Sequence, residues 1–153
     1  MENKKERKNN ISIGSSGEYY VAAELERRNY TVALPMANVK DFDILAINRS
    51  NSVQVAIQVK TNSRRSHSWT LSGKKLLKAN ESLFYVFVSF DYDNPDSKPV
   101  FHVVPSLIVK QYVDSSPKQA SWKDDDRRFT DKENEFDGKW QLLDDYCSGI
   151  RMA

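Results

Sequence analysis

The chain has 153 residues, 39% of them hydrophobic and 29% charged, with a single cysteine and a formal net charge of +2. A chain of this length buries roughly 70% of the surface it exposes when unfolded, so it needs neither disulfides nor metal to fold. The lone Cys147 excludes an internal disulfide and fits a reducing compartment. No apolar run approaches the ~20 residues of a membrane span, and Met1 to Lys8 lead into no apolar signal segment, so a cytoplasmic protein with no membrane partner is expected.

The charge is unevenly spread. Residues 1–80 carry 14 Lys and Arg against 7 Asp and Glu, whereas residues 81–153 carry 9 against 14. A basic half of this kind suits a polyanionic partner on one face.

In chain order, residues 1–10 read as a flexible basic lead-in, and residues 11–153 as one domain. Gly14-Ser15-Ser16-Gly17-Glu18 is expected to open a helix running to about Asn29, with Ser15 or Ser16 as N-cap. Val21, Ala22 and Leu25 form its apolar stripe. Glu18 precedes them by three, four and seven positions, so it points toward the core side. Glu24 lies about 240° away at ~100° per residue, four before Arg28, the spacing of a surface ion pair. Tyr30 to Leu34 reads as a strand stopped by Pro35.

Two strands follow, Asp41 to Ile47 and Val53 to Lys60, joined by the turn-forming Asn48-Arg49-Ser50-Asn51-Ser52. In the second, Val53, Val55, Ile57 and Val59 alternate with Gln54, Ala56, Gln58 and Lys60. A four-residue loop from Arg49 to Ser52 pairs Asn48 with Val53. It sets Asp43 opposite Gln58, with Lys60 next on the same face and Asp41 opposite it.

Thr61 to Ser68 reads as a polar, basic loop carrying His67, a candidate proton shuttle. Trp69 to Leu71 extends briefly, with Trp69 read as core or as a base-stacking residue. Ser72 to Asn80 is expected to form a turn and a short basic helix. Ser82 to Phe90 is the most apolar run and reads as a strand buried on both faces. Pro99 to Val104 is another strand, and Pro105 opens a helix. Asp114 to Lys139 reads as irregular, pinned by Trp122, Phe129, Phe136 and Trp140. Leu142 and Leu143 pack a C-terminal segment on the body. The order implies an α+β or mixed α/β fold around one sheet.

Helix Glu, strand Asp, then Gln, one residue and Lys on the next strand resembles the PD-(D/E)XK nuclease superfamily. The closest likeness is to Gln-x-Lys members such as some group I intron homing endonucleases, and to small bacterial proteins classed with them. The residues are Glu18, Asp43, Gln58 and Lys60, and the matched portion runs from about Gly14 to Leu71. Phe42 stands where the pattern has Pro, and Gln58 where it usually has an acid.

The resemblance implies a restriction-endonuclease-like fold, a central mixed sheet flanked by helices. It also implies a Mg2+-dependent deoxyribonuclease, with Mn2+ able to substitute. Catalytic residues would be Glu18, Asp43, Gln58 and Lys60, and metal ligands Asp43, Gln58, the Val59 carbonyl and Glu18. Mg2+ takes oxygen ligands, polarises a phosphoryl oxygen and lowers the pKa of a bound water. A neutral Gln58 implies one tightly held metal, or two with the second weakly held. Asn62, Arg64, Arg65, Lys74, Lys75 and Lys78 are placed to contact the phosphate backbone. DNA is the expected partner, RNA a second candidate, and a homodimer would supply one site per strand. The alternative is a non-catalytic nuclease-like module that binds nucleic acid or a partner protein, in a defence or immunity setting.

Overall fold

The computed structural model describes residues 2–35, 42–71, 78–115 and 127–151. Helix α1 spans Glu2–Arg27, and strands β1 and β2 span Tyr30–Ala33 and Ile44–Asn48. Next come β3 (Gln54–Asn62), β4 (Ser68–Leu71), β5 (Leu83–Ser89) and β6 (Val100–Pro105), then α2 (Ser106–Ser115), β7 (Arg127–Thr130) and α3 (Gln141–Cys147). Five strands form one sheet in the order β1-β2-β3-β5-β6, and β4 pairs with β7 in a separate ribbon. Only β3 and β5 are parallel; the other neighbours in the large sheet are antiparallel.

The expected hairpin register holds. Ile44 pairs with Ile57 and Ala46 with Val55, and the Asn48 N–H donates to the Val53 carbonyl at 2.9 Å. Alternation along β3 then sorts the sheet into two faces. One face packs Ile44, Ala46, Val55, Ile57 and Val59 with Val86 and Val88 against Val21 and Leu25 of α1. The opposite face packs Tyr85, Phe87 and Val104 against Val109 and Val113 of α2, with Trp69, Leu71 and Phe129 of the ribbon. Strand β5, lying between, is buried along its whole length, as its uninterrupted apolar run requires.

Two expectations need correction. The first helix begins at Glu2, so residues 2–10 are helical backbone, in keeping with the propensity of their Glu, Lys and Arg residues. Ser16 is therefore no N-cap; its hydroxyl donates to the Ser12 carbonyl at 2.7 Å, the back-bond of a mid-helix serine. The stretch from Asp114 to Lys139 is not wholly irregular, because Arg127–Thr130 forms β7 and buries Phe129 against β4. The expected basic helix falls on residues 72–80, of which 72–77 lie outside the described residues and 78–80 have no regular structure. Trp122 also lies outside, whereas Phe129, Phe136 and Trp140 are buried as expected.

Candidate active site

The ladder between β2 and β3 ends at Asp43, and the way it ends creates the site. The Asp43 N–H donates at 2.9 Å to the carbonyl of Ile57, the residue already paired with Ile44, so the register slips by one residue here and the ladder itself does not set Asp43 opposite Gln58 as expected. One step further, the Asp43 carboxylate stands in for a backbone carbonyl. Its Oδ2 accepts the Val59 N–H at 2.8 Å and the Gln58 Nε2–H at 3.0 Å. Oδ1 accepts no hydrogen bond among the described residues. N–H and C=O of one strand residue point the same way, so the Val59 carbonyl also lies on the Asp43 side.

Gln58 and Lys60 share the sheet face of their β5 partners Tyr85 and Phe87, the face turned away from α1. Glu18 comes from α1, on the other face. The four groups therefore meet only where the strands end, rather than along a single polar face.

The electrostatics reflect this meeting. Burial pushes the Glu18 carboxyl above the ordinary carboxylate range, and the nearby Asp43 charge adds to it. Asp43 is likewise raised by burial, opposed by the Val59 N–H and the charge of Lys60. Lys60 makes no ion pair among the described residues. Glu24 points elsewhere, pairing with Arg27 and Arg28 at 3.2 Å each, as its helical position implies.

Tyr85 joins the cluster without having been foreseen. It pairs with Gln58 across β3 and β5, and its phenol is raised by burial and then by the Asp43 charge. Nothing in an all-apolar strand sequence marks it out.

The basic approach is organised by Asn62. Its Nδ2 donates to the Ser66 and Ser68 carbonyls at 2.8 and 3.1 Å, and its Oδ1 accepts the Ser89 hydroxyl at 2.8 Å. The amide is thus engaged within the chain and holds the loop that presents the exposed Arg64 and Arg65. Arg65 has φ 53°, a left-handed backbone within that turn. Lys78 is exposed, while Lys74, Lys75 and Asp41 lie outside the described residues, so the ion pair expected between Asp41 and Lys60 does too. Trp69 is 2% exposed and its indole N–H donates to the Val88 carbonyl at 2.9 Å, so it is core rather than a stacking platform. His67 is exposed, its ring 5.8 Å from that of His102.

The residues present can be asked whether they fit a divalent cation. Two raised carboxylates, an Asp43 Oδ1 without a partner among the described residues and neutral oxygens on Gln58 and Val59 suit a hard ion that retains water ligands. Among the described residues no three His, Cys, Asp or Glu side chains are grouped to hold a metal, so neutral oxygens and water would have to complete any shell.

The helix and the mixed sheet have a restriction-endonuclease-like fold. Two solved structures carry the likeness. One is a bacterial homing endonuclease, I-Ssp6803I, at TM-score 0.54 and 11% identity, covering 90% of this chain and 93% of that one. The other is Archaeoglobus fulgidus Hjc, a Holliday junction resolvase from an archaeal hyperthermophile, at TM-score 0.54 and 15% identity, covering 92% and 98%. No family model and no curated protein matches the sequence. No helix among the described residues is long and apolar enough to cross a membrane.

Proposed function

We propose that this chain is a metal-dependent endonuclease that hydrolyses DNA phosphodiester bonds in the cytoplasm. The observation that carries the reading is the end of the β2–β3 ladder. There Asp43 is held by Val59 and Gln58 with one oxygen left over among the described residues, and the acid Glu18 lies within its field.

A bound Mg2+ or Mn2+ would supply charge neutralisation and a more acidic water. Asp43 and Glu18, with the Gln58 and Val59 oxygens, are the groups that would hold it. Lys60, free of ion pairs among the described residues, keeps its ammonium available to neutralise charge that builds on the phosphoryl oxygens in the transition state. Arg64 and Arg65 would fix the backbone in register without reading bases.

The test is cleavage of supercoiled plasmid in Mg2+ or Mn2+. Asp43→Ala and Lys60→Ala should each lose about 10^2–10^3-fold, the scale of removing a transition-state electrostatic group. Cleavage that survives both substitutions would assign the activity to a contaminant.

One observation favours the second reading, a non-catalytic module binding nucleic acid or a partner protein. Gln58 turns its Nε2 toward Asp43, so an amide donor occupies the place where an acid would offer a ligand. Absence of divalent binding in calorimetry, with DNA binding retained, would decide for the module.

A further inference from the structure

Glycine inside a helix is unfavourable for backbone entropy, yet α1 contains two. Gly14 is unconstrained: a Cβ built there meets nothing within 4 Å. Gly17 is different. A Cβ there would lie 1.8 Å from the Thr61 Oγ1 and 3.0 Å from both the Cβ and Cγ2 of Thr61, so turning the threonine does not clear the space.

No left-handed backbone is involved, so the glycine serves close approach rather than conformation. The strand side of the contact carries its own penalty. Among the described residues Thr61 Oγ1 is buried with no hydrogen-bond partner, a cost that a native interior ordinarily avoids. Two local rules are thus broken at one contact. The residue after Gly17 is Glu18, and the residue before Thr61 is Lys60.

We propose that Gly17 is a positioning residue: by seating α1 directly on Thr61 of β3, it carries Glu18 over the end of the sheet to Asp43. The inference deepens the nuclease reading and rests on it for its biological meaning. Glu18 leaves a helix on the face opposite Gln58 and Lys60, so its reach to Asp43 depends on how low the helix sits. A helix lifted by one methyl group leaves Glu18 more solvated and farther from Asp43.

The test is carbon-detected NMR of the side-chain carboxyls at one fixed pH, with Mn2+ calorimetry alongside. In the native chain Asp43→Asn should shift the Glu18 carboxyl resonance. In Gly17→Ala the Glu18 resonance should no longer respond to Asp43→Asn. A response unchanged by Gly17→Ala would overturn the proposal.

Should Gly17→Ala fail to fold, Gly17→Ala combined with Thr61→Gly removes the overlapping atoms. That double variant should restore the Glu18–Asp43 response, and a folded double variant without it counts against the role. The two readings can fail separately. The expected loss of response in a chain that binds no Mn2+ keeps the positioning role and sinks the metal site. Mn2+ binding with an unchanged Glu18 does the reverse.

Discussion

Two aspartates on the same side of the sheet are used in opposite ways. Asp131 is 4% exposed and its carboxylate is saturated by its own chain. Oδ1 accepts the Glu135 N–H at 2.9 Å, and Oδ2 accepts the Phe136 N–H at 2.9 Å and the His102 Nδ1–H at 2.6 Å. An ionised carboxylate only accepts, so His102 carries its proton on Nδ1. Its Nε2 is buried without a partner among the described residues. These bonds tie β6, β7 and the turn from Asp131 to Asp137 into one unit. Asp43 is only half-buried; one oxygen takes two donors and the other none among the described residues. A saturated carboxylate has nothing left to offer a ligand, so Asp131 reads as structural and Asp43 as poised for a cation.

The comparison can be broken most forcefully at Asp131. Asp131→Ala removes one partner of a buried pair and strands the His102 imidazole, a loss of about 3–5 kcal/mol. At roughly 2–4 °C per kcal/mol for a chain of this size, the melting temperature should fall by about 6–20 °C in calorimetry. Below the new melt, Mn2+ affinity should be that of the native chain. A melt that barely moves, or a lost metal affinity in a folded variant, would mean that the two aspartates are not divided as drawn.

A smaller effect is expected at Gln58, where the site departs from an all-acid set. Gln58→Glu exchanges the donor facing Asp43 for a second carboxylate on the same face. Without metal, the two acids should repel, raising both titration midpoints. With Mn2+, affinity should rise about tenfold, worth ~1.4 kcal/mol, as read by calorimetry, and plasmid cleavage should rise with it. Unchanged metal affinity would show that position 58 lies outside the ligand shell.

How much of this was legible depended on how local the signal is. The hairpin register was readable because turn residues and strict alternation fix it within twenty residues, and both hold. Strand β7 was not, since Arg127 to Thr130 places one buried aromatic among polar residues and draws its partner from 60 positions earlier. The His102–Asp131 pair, 29 residues apart, has no periodic mark at all. Gly17 looks in sequence like part of a helix opening, because a glycine needed for close approach resembles one needed for a turn. The helical spacing of Glu18 turns it toward the core side, and burial raises its carboxyl. What sequence could not supply was that its helix packs on the face opposite Gln58 and Lys60.

The smallest effect bears on the comparison most directly, because it asks whether Asp43 costs stability. Burial raises the Asp43 carboxyl above its unfolded value, so the folded chain holds that proton more tightly than the unfolded one. Its favourable contribution is therefore complete below the unfolded value, about 3.9, and is lost as pH rises through the folded value. Glu18 acts in the same direction. At neutral pH the ionised Asp43 is then a burden, as expected of a group kept for function. Asp43→Asn keeps an acceptor for the Val59 N–H while removing the charge. It should melt about 2–4 °C above the native chain at neutral pH, a gain of ~1 kcal/mol, with the difference shrinking as pH is lowered. Mn2+ should raise the melt of the native chain, since a ligand that binds only the folded state stabilises it, and should leave the variant unmoved. An Asp43→Asn variant that melts lower at neutral pH would place Asp43 beside Asp131 as a structural acid, and the division between the two would be lost.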